Sequence, residues 1–250
     1  MVGWNVGGAF VTLAVVLAWS AVARLRLVSP VFLPSPEATG QALWAGLNQG
    51  DLASLTVGTV ERMVVGWLLA SIAGVVLGGL LGVSPALRTY LQPTLEFMRP
   101  LPASAIMPVG IALFGLTPIM VTAVVAFGAI WPVMLSSAHG FSAVEPRLTE
   151  VARILRLSRL AFLVKIGLPS ALPDVLAGVR LSLTIALILA VVGEMLASQQ
   201  GLGMAILLAA RSFHAADLFA GIVMLSVVGF VGNALLQACE RRALAWQATT

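Results

Sequence analysis

Residues 150–169 read Glu-Val-Ala-Arg-Ile-Leu-Arg-Leu-Ser-Arg-Leu-Ala-Phe-Leu-Val-Lys-Ile-Gly-Leu-Pro. Four of the chain's fourteen Arg and Lys residues fall here, with one of its ten acids. The surroundings are different in kind, because 60% of the 250 residues are hydrophobic and only 10% are charged. On a helix drawn through the stretch, Val151, Ile154 and Leu155 share one face. Arg153, Arg156 and Arg159 recur every third residue on another. Two readings stay open on physical grounds: an interfacial helix that fixes topology, or a cationic surface turned toward a partner.

Working outward, the mean hydropathy of +1.03 excludes an ordinary soluble domain, which carries about 25% charge. Apolar runs cover about 5–25, 58–84, 101–116, 119–138, 174–196 and 217–238. Each approaches the roughly 20 residues that cross a bilayer as a helix. The expected fold is therefore an all-α polytopic membrane protein of about six transmembrane helices. It is expected to form one domain over 1–250, with its core at 58–238. Ala21-Val22-Ala23 resembles a signal-peptide cleavage site, but no Lys or Arg precedes the first run, so that run is expected to be retained. Cys239 is the single cysteine and has no internal disulfide partner.

Between the runs, 26–57 carries Pro30, Pro34 and Pro36 and predicts an extended stretch followed by a short interfacial helix. Residues 84–100 and 197–216 read as linkers, and 139–173 as the basic loop. The segments 84–100, 139–173 and the C-terminal tail hold nine of the fourteen basic residues, which the positive-inside bias places in the cytoplasm together with both termini. Arg24, Arg26 and Arg211 vote the other way. In the second run Gly66, Ala70, Gly74, Gly78 and Gly82 recur every four residues. That row suits close helix packing, although glycine is also simply common in membrane helices.

Catalytic patterns are missing. No G-x-x-x-x-G-K-[ST] loop exists, and the single lysine, Lys165, follows no glycine run, so ATP hydrolysis by a P-loop on this chain is excluded. His139 and His214 are isolated, giving no metal-ligand spacing, and no Ser-His-Asp set or carboxylate pair stands out. The charge pattern does not suggest nucleic-acid binding. In the fifth run Arg180 and Glu194 lie fourteen residues apart, about 21 Å along a helix, so each must face something else. Glu194 is expected to serve as a structural partner of the 197–216 loop, with a solute-site role as the lesser reading.

From Glu150 the pattern runs Glu-x-Ala152, three residues, Arg156, nine residues, then Ile166-x-Leu168-Pro169. This resembles the EAA coupling motif of permease subunits in binding-protein-dependent ABC importers. Val151 stands for the middle alanine of that motif. Arg156 stands where the family has a glycine at a turn between two short helices. Further stretches resemble the nitrate/sulfonate/taurine subgroup: Phe32-Leu33-Pro34-Ser35-Pro36, Arg62-x-x-x-Gly66, Phe97-Met98-Arg99-Pro100-Leu101-Pro102, Pro108, Phe114-Gly115-Leu116, Pro169-x-x-x-Pro173, Gly193-Glu194-Met195 and Gly201-Leu202-Gly203.

The resemblance implies a multi-pass subunit of the bacterial inner membrane that pairs with a second permease copy, as a homodimer. Two separate ATPase subunits would hold ATP and Mg, with no cofactor on this chain. A periplasmic or lipid-anchored solute-binding protein would deliver a small anion such as a sulfonate, taurine or nitrate. Glu150, Ala152, Arg153, Arg156, Ile166, Leu168 and Pro169 would make the ATPase contact. Membrane lipid would surround the spans, and Ser104, Met107, Thr122 and Glu194 are candidates for the solute pathway. The alternative from another class is an ATP-independent carrier or channel.

Overall fold

A computed structural model describes residues 2–98 and 101–247. All regular structure among them is helical: α1 Val2–Arg24, α2 Pro36–Asn48, α3 Leu52–Val83, α4 Pro85–Met98, α5 Met107–Phe114, α6 Pro118–Ser142, α7 Pro146–Ile154, α8 Arg159–Phe162, α9 Leu168–Ala197, α10 Leu202–Arg211 and α11 Ala215–Ala243. In a bilayer every backbone N–H and C=O must be satisfied within the protein, and helices do this within each segment.

Among the described residues, four stretches are long and apolar enough to cross a membrane: α3, α6, Leu163–Ala197 and α11. The run at 101–116 departs from the expected straight span. It holds a 3-10 turn, Ala103–Ile106, and the eight-residue α5. Together with α4 these form a pair bent by 83°, a fifth candidate crossing if counted as one. The linker expected at 84–100 is instead largely α4, with Ser84 capping it: the Leu87 N–H donates to Ser84 Oγ at 3.3 Å. Arg99 and Pro100 lie outside the described residues.

Helix boundaries follow local chemistry. Ser35 Oγ accepts from the Ala38 N–H at 3.2 Å, and Pro36 opens α2 with its φ already set. Thr117 and Pro118 repeat the device at α6, where the Met120 N–H reaches Thr117 Oγ1 at 3.4 Å. The turn between α5 and α6 needs Gly115, whose φ of +68° has no Cβ to obstruct it.

The chain divides into two compact units. One comprises the residues up to Thr59 with Gln200–Val228. Here Trp19 donates to the Pro34 carbonyl at 2.9 Å and stacks obliquely on Phe219 at 5.7 Å. The buried Thr59 Oγ1 accepts from the Leu202 N–H at 2.9 Å. Arg24 donates to Glu37 at 2.6 Å, and this guanidinium holds the Glu37 carboxyl down at about 2. The loop expected at 197–216 contains α10, and a short helix, α2, lies within 26–57 where one was expected.

The other unit comprises Val60–Gln199 and Gly229–Thr250, described to Gln247. Its core is the packing of α6 on α9. Val121, Val125, Ala129 and Val133 of α6 and Ala171, Ala186 and Ala190 of α9 are fully buried. Small residues bring the backbones together: a Cβ on Gly178 would lie 2.8 Å from the Pro132 carbonyl oxygen. Along α3, a Cβ on Gly66 would lie 2.6 Å from Val125, on Gly74 2.7 Å from Val133, and on Gly82 2.5 Å from Phe141. A Cβ on Gly78 would collide with the Met134 carbonyl oxygen. The glycine row of α3 therefore lies directly on α6.

Candidate functional site

The basic segment is not one helix. Pro146 opens α7, and the chain leaves it after Ile154. Leu155, Arg156 and Leu157 turn the chain, α8 follows, and a π-helical turn, Leu163–Gly167, runs into α9. The three arginines therefore do not form a continuous helical stripe: Arg153 lies in the last turn of α7, Arg156 in the turn that follows and Arg159 begins α8. Ile166 is half-buried in the π turn, and the exposed Leu168 and half-buried Pro169 start the long α9. The expected run at 174–196 thus begins earlier, at Leu163.

Arg156 adopts φ of +49°, the left-handed region in which a Cβ crowds the following carbonyl and glycine is the default. The Leu157 N–H donates to the Ala152 carbonyl at 3.0 Å, and the Arg156 N–H donates to that of Arg153 at 3.1 Å. These two bonds are a Schellman closure of α7, which satisfies carbonyls that would otherwise be orphaned at the helix end. Arg156 therefore keeps the turn geometry that glycine makes easy, at a strain of about 1 kcal/mol. Arg156→Gly is expected to raise the unfolding free energy by about that amount, read from detergent-solubilised melts. A loss of similar size would show that the Arg156 side chain holds the turn through contacts worth more than the strain.

The closure orients α7. Ala152 is 5% exposed and faces the unit, with Thr149 and Arg153 beside it on the rim of an inner cavity. Arg147, Glu150, Val151 and Ile154 follow i, i+3, i+4, i+7 spacing along the outer face and are all exposed, Ile154 at 79%. A nine-residue helix with a seated inner face thus presents an acid, a base and bare aliphatic groups outward. Exposed aliphatic carbon beside charge, on a segment otherwise too polar to enter lipid, suits a protein partner.

A second polar feature was only half visible in the sequence. Glu194 is fully buried and accepts from Arg62 Nη2 at 2.7 Å and Nε at 3.1 Å. One side-chain partner of Glu194 is therefore on α3, and its backbone carbonyl accepts from the Gln199 N–H at 3.0 Å. The signal available was position: Arg62 lies one step before Gly66 in the four-residue row that faces α6. Arg180 pairs with Glu240 of α11.

Among the remaining candidates, Ser104 is exposed on the 3-10 turn and Met107 is fully buried. Thr122 is half-buried, and its hydroxyl donates to the Pro118 carbonyl at 3.1 Å. Ser104, Met107 and Thr122 do not line the cavities beside α7 and α3. No group of three metal-ligating side chains occurs among the described residues.

Residues 66–244 match the family described as binding-protein-dependent transport system inner membrane component. The chain belongs to that family. It is 32% identical to a putative aliphatic sulfonates transport permease protein of Bacillus subtilis, covering 98% of this chain and 88% of the relative. It is 31% identical to the taurine transport system permease protein of Escherichia coli, covering 94% and 88% respectively. It is 32% identical to a nitrate import permease protein of Leptolyngbya laminosa, over 77% and 68%. The fold is similar to that of a chain of the MetNI methionine ABC transporter in an inward-facing conformation, with a TM-score of 0.68 and 17% identity over 77% of this chain and 95% of that one. The chain is thus a multi-pass membrane subunit of an ATP-driven importer, in the sulfonate, taurine and nitrate subgroup, and is itself not an enzyme. The family works as a complex with an ATPase and a binding protein, and ATP is used by the ATPase partner.

Proposed function

We propose that α7 is the surface through which ATPase subunits drive this permease, with its outer face of Arg147, Glu150, Val151 and Ile154 seated in a cleft on each ATPase. The observation that carries this reading is the division of α7 into an inner face anchored by Ala152 and an exposed outer face. Arg153 and Arg156 then act from behind that face, one on the inner cavity and one in the closing turn, and Ile166, Leu168 and Pro169 tie the coupling segment to α9. Motion imposed on α7 would reach α9 through the π turn, a weak point in helical hydrogen bonding that tolerates rearrangement. Two such permeases, as a homodimer, would rock as rigid bodies between outward and inward access. The coupling segment and both termini lie on the cytoplasmic side, in keeping with the count of basic residues. The solute is a small anion of the kind named for the relatives, sulfonates, taurine or nitrate, delivered by a separate binding protein.

Glu150→Lys tests the coupling. The variant is expected to reach the membrane at wild-type level while ATPase co-purification and solute uptake each fall about tenfold or more, as expected when an interface loses about 1.4 kcal/mol. Unchanged uptake and unchanged ATPase capture would sink the assignment of α7. The solute is tested separately, by thermal shift of the co-encoded binding protein with taurine, alkanesulfonates and nitrate.

A further inference from the structure

Behind α7 lies a cavity of about 1030 Å³. Ser84 and Ala86, at the corner between α3 and α4, form one wall. Thr149, Ala152 and Arg153 of α7 form another, with Phe162 and Leu163 closing the far side. A second cavity, about 310 Å³, is a trench between the end of α3 and the start of α9, lined by aliphatic and aromatic carbon from residues such as Val76, Leu80, Phe141 and Leu168. Val83 and Leu163 line both, so the trench and the larger cavity adjoin at these two side chains. The adjoining pair of cavities is apolar at one end. At the other it offers two hydroxyls and a guanidinium that forms no ion pair among the described residues.

We propose that this space is a binding site for an anionic phospholipid, acyl chain in the trench and phosphate head beside Arg153. The polarity sequence is that of a lipid: carbon along the helices, then a compact anion at the level of the basic segment. A soluble anion would leave the trench bare. A helix from another protein would have to place an acid opposite Arg153 and still thread the narrow trench. Basic pockets between membrane helices near the surface bind anionic lipid heads, and the combined volume lies in the range that holds a sizeable ligand. Leu80, Val76 and Leu168 are 49%, 56% and 41% exposed, so a chain laid there covers carbon that the protein leaves uncovered. Because Thr149, Ala152 and Arg153 form the inner face of α7, the lipid head would sit under the helix whose outer face meets the ATPase. The site does not depend on that contact: it requires only that the chain spans a bilayer.

The test uses the purified full chain in nanodiscs of equal phosphatidylglycerol and phosphatidylcholine, followed by mild detergent release and native mass spectrometry of the lipids retained. Wild-type protein is expected to retain phosphatidylglycerol over phosphatidylcholine by about fivefold, the preference one surface cation provides. Arg153→Gln is expected to abolish the preference. Leu80→Trp fills the trench and is expected to lower retention of both lipids. Ile188→Trp, at a residue of α9 that is 56% exposed and lines neither cavity, is expected to leave retention unchanged. Retention without head-group preference, or retention untouched by both variants, overturns the proposal. So does a Leu80→Trp protein whose dimer fraction falls while its lipid retention stays at the wild-type level, since a second copy would then be the occupant. Uptake and ATPase capture play no part in these readouts, so failure here leaves the coupling proposal standing, and the reverse holds too.

Discussion

Arg62→Ala is expected to lower the unfolding free energy by about 3–5 kcal/mol, the usual loss when one partner of a buried ion pair is removed. The geometry makes the loss asymmetric. Glu194 is 0% exposed, whereas the Arg62 side chain retains 14% exposure. Removing Arg62 leaves the fully buried Glu194 carboxylate without this cation. Removing Glu194 strands a long cation whose stem can bend toward the surface. Glu194→Gln should therefore be the milder change. Arg62→Met combined with Glu194→Leu should regain much of the loss, because neither charge is then left buried. Melting curves of all four proteins in one detergent decide the matter. An Arg62→Ala protein within about 1 kcal/mol of wild type, or a double variant worse than either single one, would defeat this account. The pair joins α3 to α9, each of which also packs on α6, so its loss should weaken the core of that unit as a whole.

How much of this was readable beforehand depends on the range of the interaction. Local chemistry was legible. Ser35-Pro36 and Thr117-Pro118 mark helix starts because cap and first turn lie within three residues of each other. The four-residue row on α3 was legible because helical periodicity alone puts Gly66, Gly74, Gly78 and Gly82 on one face; which helix they meet was not. The segment at 101–116 was misread for a similar reason. Its residues are apolar enough for a span, and composition carries no record of the 83° bend beside Pro102. The polar residues and prolines of 84–98 read as a linker, yet Ser84 caps a helix there and Pro85 sits in its first turn, where a missing N–H does no harm.

The candidate site divides the same way. The motif from Glu150 to Pro169 was visible as spacing, and so was the oddity of Arg156. That Arg156 takes a glycine's backbone conformation follows from the demands of closing α7, which no propensity for arginine predicts. The same solution recurs at other helix ends. Arg26 and Phe213 are also left-handed, at φ of +52° and +58°. Behind each, N–H groups reach back to close the helix, as with Leu27 to Val22 at 3.3 Å and His214 to Ala209 at 2.9 Å. The Arg62–Glu194 pair spans 132 positions of sequence. A single chain read alone shows that both charges need partners, not that they find each other.

Gly78→Leu is expected to have the other large effect, about 3 kcal/mol and with it the loss of most of the monodisperse protein recovered from membranes. Between membrane helices, apolar side chains gain little by leaving lipid, so close backbone approach and dispersion supply the attraction. Gly78 is where α3 and α6 approach most closely: its absent Cβ would overlap the Met134 carbonyl oxygen and lie 2.6 Å from Ser137 Cβ. A carbonyl cannot swing aside as a side chain can, so α3 would have to move away along its length. That movement would also open the contacts at Gly74 and Gly82, at 2.7 Å and 2.5 Å. Gly79 is the internal control, one residue on and turned to a different neighbour. A Cβ there meets the Phe141 ring at 3.3 Å, and a ring edge yields by a few tenths of an ångström. Gly79→Ala should thus stay within about 1 kcal/mol of wild type, with the better helix propensity of alanine offsetting the contact. Size-exclusion profiles and melts of the two variants separate the readings. Equal tolerance at both positions would mean that the glycine row reflects composition and that α3 is held by its polar contacts, among them the Arg62 pair and the 3.0 Å bond from Trp67 to the Val179 carbonyl.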